Sequence, residues 1–203
     1  DAVGTVEDGF LVLRVDLRGT GSSSGIATDE YPDVERTDLR AAIEWLTAQP
    51  WSNGRVGTTG QSYLGLTQYL IACNDPMPPS LQVMAPVSAS SDYHQSWIYH
   101  TGGASLWGWL VPYAIFKGRD TLRRAGRDDL IERVLGYLDG EYSMIRRTPF
   151  GFNFTTPVTT EWFSHLPISD WGDLLAETAP YFADHIAHAD DGDLVIEAEQ
   201  QLD

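Results

Sequence analysis

The stretch Arg55-Val56-Gly57-Thr58-Thr59-Gly60-Gln61-Ser62-Tyr63-Leu64-Gly65 constrains the fold more than any other part of the chain. Asn53-Gly54 before it is a strong turn signal, so a short strand is expected to start at Arg55. After Ser62 the apolar residues Leu66, Tyr69, Leu70 and Cys73 recur at i, i+3, i+4 and i+7, which is one helix face. The stretch reads as a strand, a sharp turn with a serine at its tip, and a helix leaving the turn.

A serine in that place has a chemical use. The tight turn pushes its hydroxyl out of the sheet. The backbone N–H of Tyr63 points into the same space from the helix N-terminus, where partial positive charge collects. A nucleophile and one donor of an oxyanion hole then come from a single turn. The glycines keep side chains out of so sharp a bend. The general elbow is G-x-S-x-G; here Leu64 holds the place of the second glycine and Gly65 follows one residue late. On these residues alone a second reading stays open, a glycine-rich connection whose serine caps the helix.

Hydrophobic residues make up 42% and aromatics 11% of the 203 residues, which suits one sizeable core rather than a disordered chain. No apolar run approaches the roughly 20 residues that span a bilayer, so a membrane is not an expected partner. The 29 acidic side chains outnumber the 13 basic ones, giving a net charge of −16 and a pI near 4.4. Nucleic acid is excluded as a partner because its phosphates would be repelled. Lys117 is the sole lysine. Such a surface fits a halophilic or marine source as well as a GC-rich bacterial one. Cys73 is the sole cysteine, so no intrachain disulfide forms, and its place on the apolar helix face suits a small buried hydrophobe. The chain starts at Asp1 without methionine, and the compartment stays open.

Asp38-Leu39-Arg40-Ala41-Ala42-Ile43-Glu44-Trp45-Leu46, then Gln49 to Gly57, then Gly60-Gln61-Ser62-Tyr63-Leu64-Gly65, closely resembles the cocaine esterase and X-Pro dipeptidyl-peptidase family of serine hydrolases. The elbow of that family looks like G-x-S-Y-x-G, which the late glycine fits. Upstream, Asp16-x-Arg18-Gly19-x-Gly21-x-Ser23-x-Gly25 matches its D-x-R-G-x-G-x-S-x-G stretch. The strong likeness runs from about Gly9 to about Pro86. A weaker one continues to His188-Ala189-Asp190-Asp191, similar to an H-P-x-D-D segment with alanine replacing proline. The resemblance implies an α/β fold, a partial α/β-hydrolase parallel sheet with a helical cap. Residues 1–104 would form the partial core with its elbow, 105–188 the cap, and 189–203 the start of a return to the core. It also implies cleavage of an ester or amide (peptide) bond in a small substrate through an acyl-enzyme, without cofactor or metal. Ser62 would be the nucleophile and Tyr63 N–H the oxyanion donor.

In chain order, Asp1 to Asp8 reads as a helix end or a loop. Phe10 to Asp16 is a nearly continuous apolar run, which predicts a buried parallel strand covered on both faces. Arg18 to Gly25 is a glycine- and serine-rich loop. No G-K-[ST] follows it, which rejects nucleotide binding, and Asp16 and Arg18 are placed to pair and brace it. Asp33 is the expected cap of a helix whose face is Leu39, Ala42, Ile43 and Leu46. The elbow helix should stop at Asn74-Asp75-Pro76, and another strand should run from Leu81 to Pro86, completing a βαβ rhythm.

Ser88 to Ala104 follows a strand end, where α/β enzymes place ligands. It carries Asp92, Tyr93, His94, Trp97, Tyr99 and His100. Trp97, Tyr99 and His100, with Trp107 just beyond, are the candidate substrate contacts. The other reading is a surface loop pinned by aromatics. Further on, Ile131, Val134, Leu135 and Leu138 form a helical core stripe, Thr148 to Phe152 and Pro167 to Gly172 read as loops, and 173–177 and 180–187 read as short helices. Asp190-Asp191-Gly192-Asp193 lacks the further oxygens and closing glutamate of a calcium loop.

A serine nucleophile needs a base and a carboxylate to orient that base. By the resemblance both follow the cap, and strands with an oxyanion tyrosine precede Phe10. The chain is therefore expected to be an internal fragment, inactive alone and completed by flanking sequence or a complementing chain. Within the chain Asp92 is the candidate acid, and His94, His100, His165, His185 and His188 are the candidate bases. His94 and His100 lie too near Asp92 for the usual late loop, and His165 and His188 sit in the presumed cap and its exit. With an intervening strand absent, the Phe10 and Arg55 strands would pair directly or leave an edge unpaired, which predicts marginal stability. The reading from another class is a binding module that keeps the elbow as a structural turn.

Overall fold

The turn signals and periodicities of the N-terminal half become three helices and two strands, α1 (Ala2–Glu7), α2 (Asp33–Thr47), β1 (Val56–Gln61), α3 (Tyr63–Ala72) and β2 (Leu81–Val87). The computed structural model describes residues 2–100, 104–136, 145–148, 151–154 and 165–188. β1 and β2 pair in parallel, from Gly57 opposite Val83 to Gln61 opposite Val87, with α3 as the connection between them. Ile43 of α2, Val56 of β1, Ile71 of α3 and Leu81 of β2 form one small core, flanked by Leu39, Leu46 and Met84. This is the α/β unit that the alternating strand and helix patterns imply.

Phe10 to Asp16 departs from the expectation of a buried strand. The segment belongs to no strand, and Phe10 is 65% exposed. A strand needs a neighbour to complete its ladder, and apolar composition alone cannot supply one. Among the described residues no strand pairs with it. The pairing inside the following loop also differs. Arg18 donates from Nε and Nη2 to both carboxylate oxygens of Asp38 on α2, at 2.8 and 2.7 Å. Asp16 instead accepts the Ser22 N–H at 2.8 Å, and Gly21 allows this because a Cβ there would lie 2.3 Å from the Asp16 carboxylate. Pro32 rather than Asp33 holds the cap position of α2, and Asp33 lies in the first turn, where its charge favours the helix dipole.

After β2 comes a single π-helical turn (His94–Ile98), then β3 (Tyr99–His100) antiparallel to β4 (Ala104–Ser105). Two long helices follow, α4 (Trp107–Arg124) and α5 (Asp128–Gly136). Ile131 and Val134 of the expected stripe are buried in the core, while Leu138 lies outside the described residues. Where a loop was expected at 148–152, β5 (Ile145–Thr148) and β6 (Gly151–Phe154) pair antiparallel, with Thr148 opposite Gly151. Helix α6 (Asp170–Leu174) starts inside the expected 167–172 loop, and α7 (Phe182–Ala187) follows. Residues 189–203, with the Asp190–Asp193 cluster, lie outside the described residues. Among the described residues no helix is long and apolar enough to cross a membrane.

The larger core joins the two halves. Leu66 and Leu70 of α3 share it with Trp107, Val111 and Ile115 of α4, Leu130 and Val134 of α5, Trp171 of α6 and Phe182 of α7. His185 is buried against the rings of Tyr93, Tyr181 and Phe182, and its Nδ1 has no partner among the described residues. Burial favours the neutral imidazole and lowers its pKa below the ordinary 6.5; Glu30 and Asp184 oppose that shift, while Lys117 adds to it. The unfolded chain then takes up a proton before the folded one does. The stability His185 contributes is present above about pH 6.5 and is lost as the pH falls through its lowered value. His185→Gln is expected to flatten this part of the urea-midpoint profile between about pH 7 and 5, and an identical slope in both proteins would refute the assignment.

Candidate active site at the strand-to-helix turn

Ser62 stands between β1 and α3 with φ 58° and ψ −123°. A non-glycine residue with positive φ is strained, at a cost of order 1–3 kcal/mol, and such strain collects at functional turns. The surroundings hold it there. Ser62 N–H donates to Val87 O at the end of β2 at 2.9 Å, and Ser62 O accepts from Gly65 and Leu66 at 2.8 and 3.0 Å. A Cβ on Gly60 would lie 2.5 Å from Leu64 Cβ. A Cβ on Gly65 would lie 2.7 Å from Ala89 Cβ and 3.0 Å from Val87 O. The late glycine thus sits where the first turn of α3 closes on the end of β2. Leu64, in the place of the usual second glycine, faces solvent.

Ser62 occupies the cap position of α3, but its side chain makes no capping hydrogen bond. It is exposed, and no hydrogen bond holds its hydroxyl among the described residues. That removes the capping explanation for the serine. Tyr63 begins the first turn of α3, where helix geometry leaves the N–H groups without intrahelical acceptors. A hydroxyl and an N–H therefore leave one turn with no internal commitment.

Gln68, 2% exposed, ties the turn together. Its Oε1 accepts from Thr58 Oγ1 at 3.0 Å and from Ala85 N–H at 3.1 Å. Its Nε2 donates to Leu64 O at 3.0 Å and Gly60 O at 3.4 Å. One amide thus joins β1, β2 and α3 around Ser62. Nothing in the sequence reading singled it out, although a glutamine inside an apolar helix was the available signal.

The Tyr63 side chain turns inward. Its ring stacks on Tyr31 at 4.1 Å, Tyr31 meets Tyr93 edge-on at 5.1 Å, and Tyr93 lies 6.4 Å from Trp97. A chain of rings therefore runs from the elbow to the 88–104 segment. Lys117 of α4 pairs with buried Glu30 at 2.8 Å and sits 4.5 Å from the Tyr63 ring centroid. Tyr93 donates its hydroxyl to the same Glu30. Burial raises the pKa of Tyr63 and of Tyr31 well above the ordinary phenol range, so both stay protonated.

The candidate substrate contacts fall in different places. Trp97 is half-buried and meets Trp109 and Tyr113 edge-on at 5.6 and 5.4 Å. Tyr99 is buried, and its hydroxyl donates to His185 O at 2.5 Å. Trp107 is buried against Trp171 and Phe182. As they stand, Tyr99 and Trp107 are core residues. His100 gives backbone to β3 opposite Ala104, and its side chain lies outside the described part of the structure.

Among the described side chains, no candidate triad partner hydrogen-bonds Ser62, and each is engaged elsewhere or packed in the core. Asp92 Oδ1 accepts Gln95 N–H at 2.8 Å, which holds the π-helical turn. His94 Nε2 bonds His188 O at 3.1 Å, His165 Nε2 bonds Asp170 at 3.1 Å, and His188 Nδ1 bonds Asp184 O at 2.9 Å.

Comparison with known proteins places these residues in a family. The family model described as X-Pro dipeptidyl-peptidase (S15 family) matches residues 2–148. Cocaine esterase of Rhodococcus sp. (strain MB1 Bresler) is 32% identical over 133 residues, covering 63% of this chain and 22% of the esterase. A solved CocE/NonD family hydrolase from Staphylococcus aureus is 28% identical with a TM-score of 0.45, covering 70% of this chain and 24% of that one. The chain thus spans less than a quarter of the length of these relatives. With residues 2–148 matched to its model, the chain belongs to the X-Pro dipeptidyl-peptidase (S15) family.

Proposed function

We propose that this chain carries the nucleophile of a serine hydrolase that cleaves ester or amide bonds. The supporting observation is Ser62, held at φ 58° with a hydroxyl that caps nothing. Ser62 Oγ attacks the substrate carbonyl while its proton passes to a base. The carbonyl oxygen becomes an oxyanion and takes a hydrogen bond from Tyr63 N–H. Loss of the leaving group as its protonated alcohol or amine gives the acyl-enzyme, and water then releases the acid and restores Ser62. The base and its carboxylate come from outside the described residues, in flanking sequence or on a complementing chain. Of the four candidate contacts, Trp97 meets Tyr93 directly and so stands two rings from Tyr63.

Fluorophosphonate labelling tests this reading, with peptide mass spectrometry to find the adduct and circular dichroism to confirm folding. The intact hydrolase is expected to give one adduct, on Ser62. The folded chain alone is expected to give none until its partner segments are added. An adduct on any other residue of the intact hydrolase would overturn the assignment. Ligand binding that survives Ser62→Ala without any adduct would favour the binding module instead.

A further inference from the structure

An oxyanion donor on the residue after the nucleophile is a backbone group, and any side chain can supply it. Tyr63 is nevertheless held at its far end. Its hydroxyl donates to Glu35 Oε1 at 2.8 Å and accepts the Tyr31 N–H at 3.2 Å. Leu64 is exposed and Gly65 has no side chain, so Tyr63 is the one side chain that anchors the first three residues of α3. On the other side, the Ser62 N–H to Val87 O bond fixes the start of the turn. The Ser62–Tyr63 peptide, which carries the donor, is thus clamped from both ends.

Glu35 itself is unusual. It lies in the first turn of α2, where an acidic residue ordinarily faces water, yet it is 4% exposed. Oε1 serves Tyr63, and Oε2 has no hydrogen-bond partner among the described residues. Burying a carboxyl this way costs stability, so the fold alone does not account for it. Lys117, Glu30 and Asp29 are the nearby charges, and Glu30 is already committed to Lys117 and Tyr93.

We propose that Glu35 is a positioning residue for the oxyanion site: by accepting the Tyr63 phenol, it holds the peptide whose N–H meets the developing oxyanion. The inference rests on Ser62 being the nucleophile. A donor displaced by a fraction of an ångström weakens stabilisation of the transition state more than it weakens ground-state binding.

The test is steady-state hydrolysis of a p-nitrophenyl ester by the intact hydrolase and its variants, each with a melting curve. Tyr63→Phe and Glu35→Leu are each expected to lower kcat about tenfold, with KM within about twofold, since the donor is displaced rather than deleted. Glu35→Gln keeps a carbonyl acceptor for the phenol and is expected to restore kcat to within about threefold. The double variant Tyr63→Phe/Glu35→Leu should be no slower than either single one, because both remove the same bond. Unchanged kcat with only a lowered melting temperature would reduce the pair to a structural role and overturn the proposal, as would additive losses in the double variant. If Glu35→Leu does not fold, Tyr63→Phe, which removes a single oxygen, decides. Turnover retained by Ser62→Ala would overturn the nucleophile reading and this inference together. A dead Ser62→Ala beside a fully active Tyr63→Phe would overturn this inference alone.

Discussion

Ser62→Ala will abolish ester turnover in the intact hydrolase, a loss of about a millionfold in kcat, while the melting temperature stays where it was. The two halves of this expectation have separate grounds. The catalytic loss follows from removing the one hydroxyl that the turn presents. The unchanged stability follows from the local structure, since the serine side chain is exposed and makes no capping bond. Alanine bears the strain at φ 58° about as badly as serine does, so little changes in the backbone. Turnover assays and a thermal melt on the same preparations separate the outcomes. A melt that falls with activity would mean that the hydroxyl is part of the fold. Full activity would remove Ser62 from the chemistry altogether.

Gln68→Leu will destabilise the chain by about 3 kcal/mol. The glutamine satisfies the Thr58 hydroxyl, the Ala85 N–H and the carbonyls of Gly60 and Leu64 from one buried amide. Leucine is close in size, so no large cavity opens. It leaves part-buried donors and acceptors without this partner, and the cost of stranded groups exceeds the net worth of the bonds themselves. In a chain of this size the melting temperature should fall by about 6–12 °C. Denaturant unfolding of the purified chain measures the effect. A loss under about 1 kcal/mol would mean that water or a rearranged backbone takes over the four bonds.

The elbow was legible because its signals are local. Turn residues before Arg55, a helical period after Ser62 and small residues at the bend specify β1, the turn and α3 without help from distant parts. The cap of α2 and the 148–152 segment were misjudged by a few residues, where neighbouring side chains decide how a helix starts or a hairpin closes. Phe10 to Asp16 is a different kind of error. Its composition is that of a buried strand, yet pairing is a property of two segments, and one segment cannot declare it. Tyr99 and Trp107 show the same limit within the site. An aromatic at a strand end suits a pocket or a core equally, and only the packing of α4, α6 and α7 around them settles which. Glu35 and Lys117 were invisible as a group because their meeting with Tyr63 depends on chain separations that no period encodes.

β1 and β2 share a small core on one side, while Val83 and Val87 are 61% and 51% exposed. With Phe10, Leu11, Val12, Leu13 and Val15 also exposed, a large share of the strand-forming apolar surface is already in contact with water in the folded chain. Unfolding cannot newly hydrate what is hydrated already. In the chain by itself the heat-capacity increment on melting is therefore expected to be smaller than full burial of these residues would give, which flattens the stability curve.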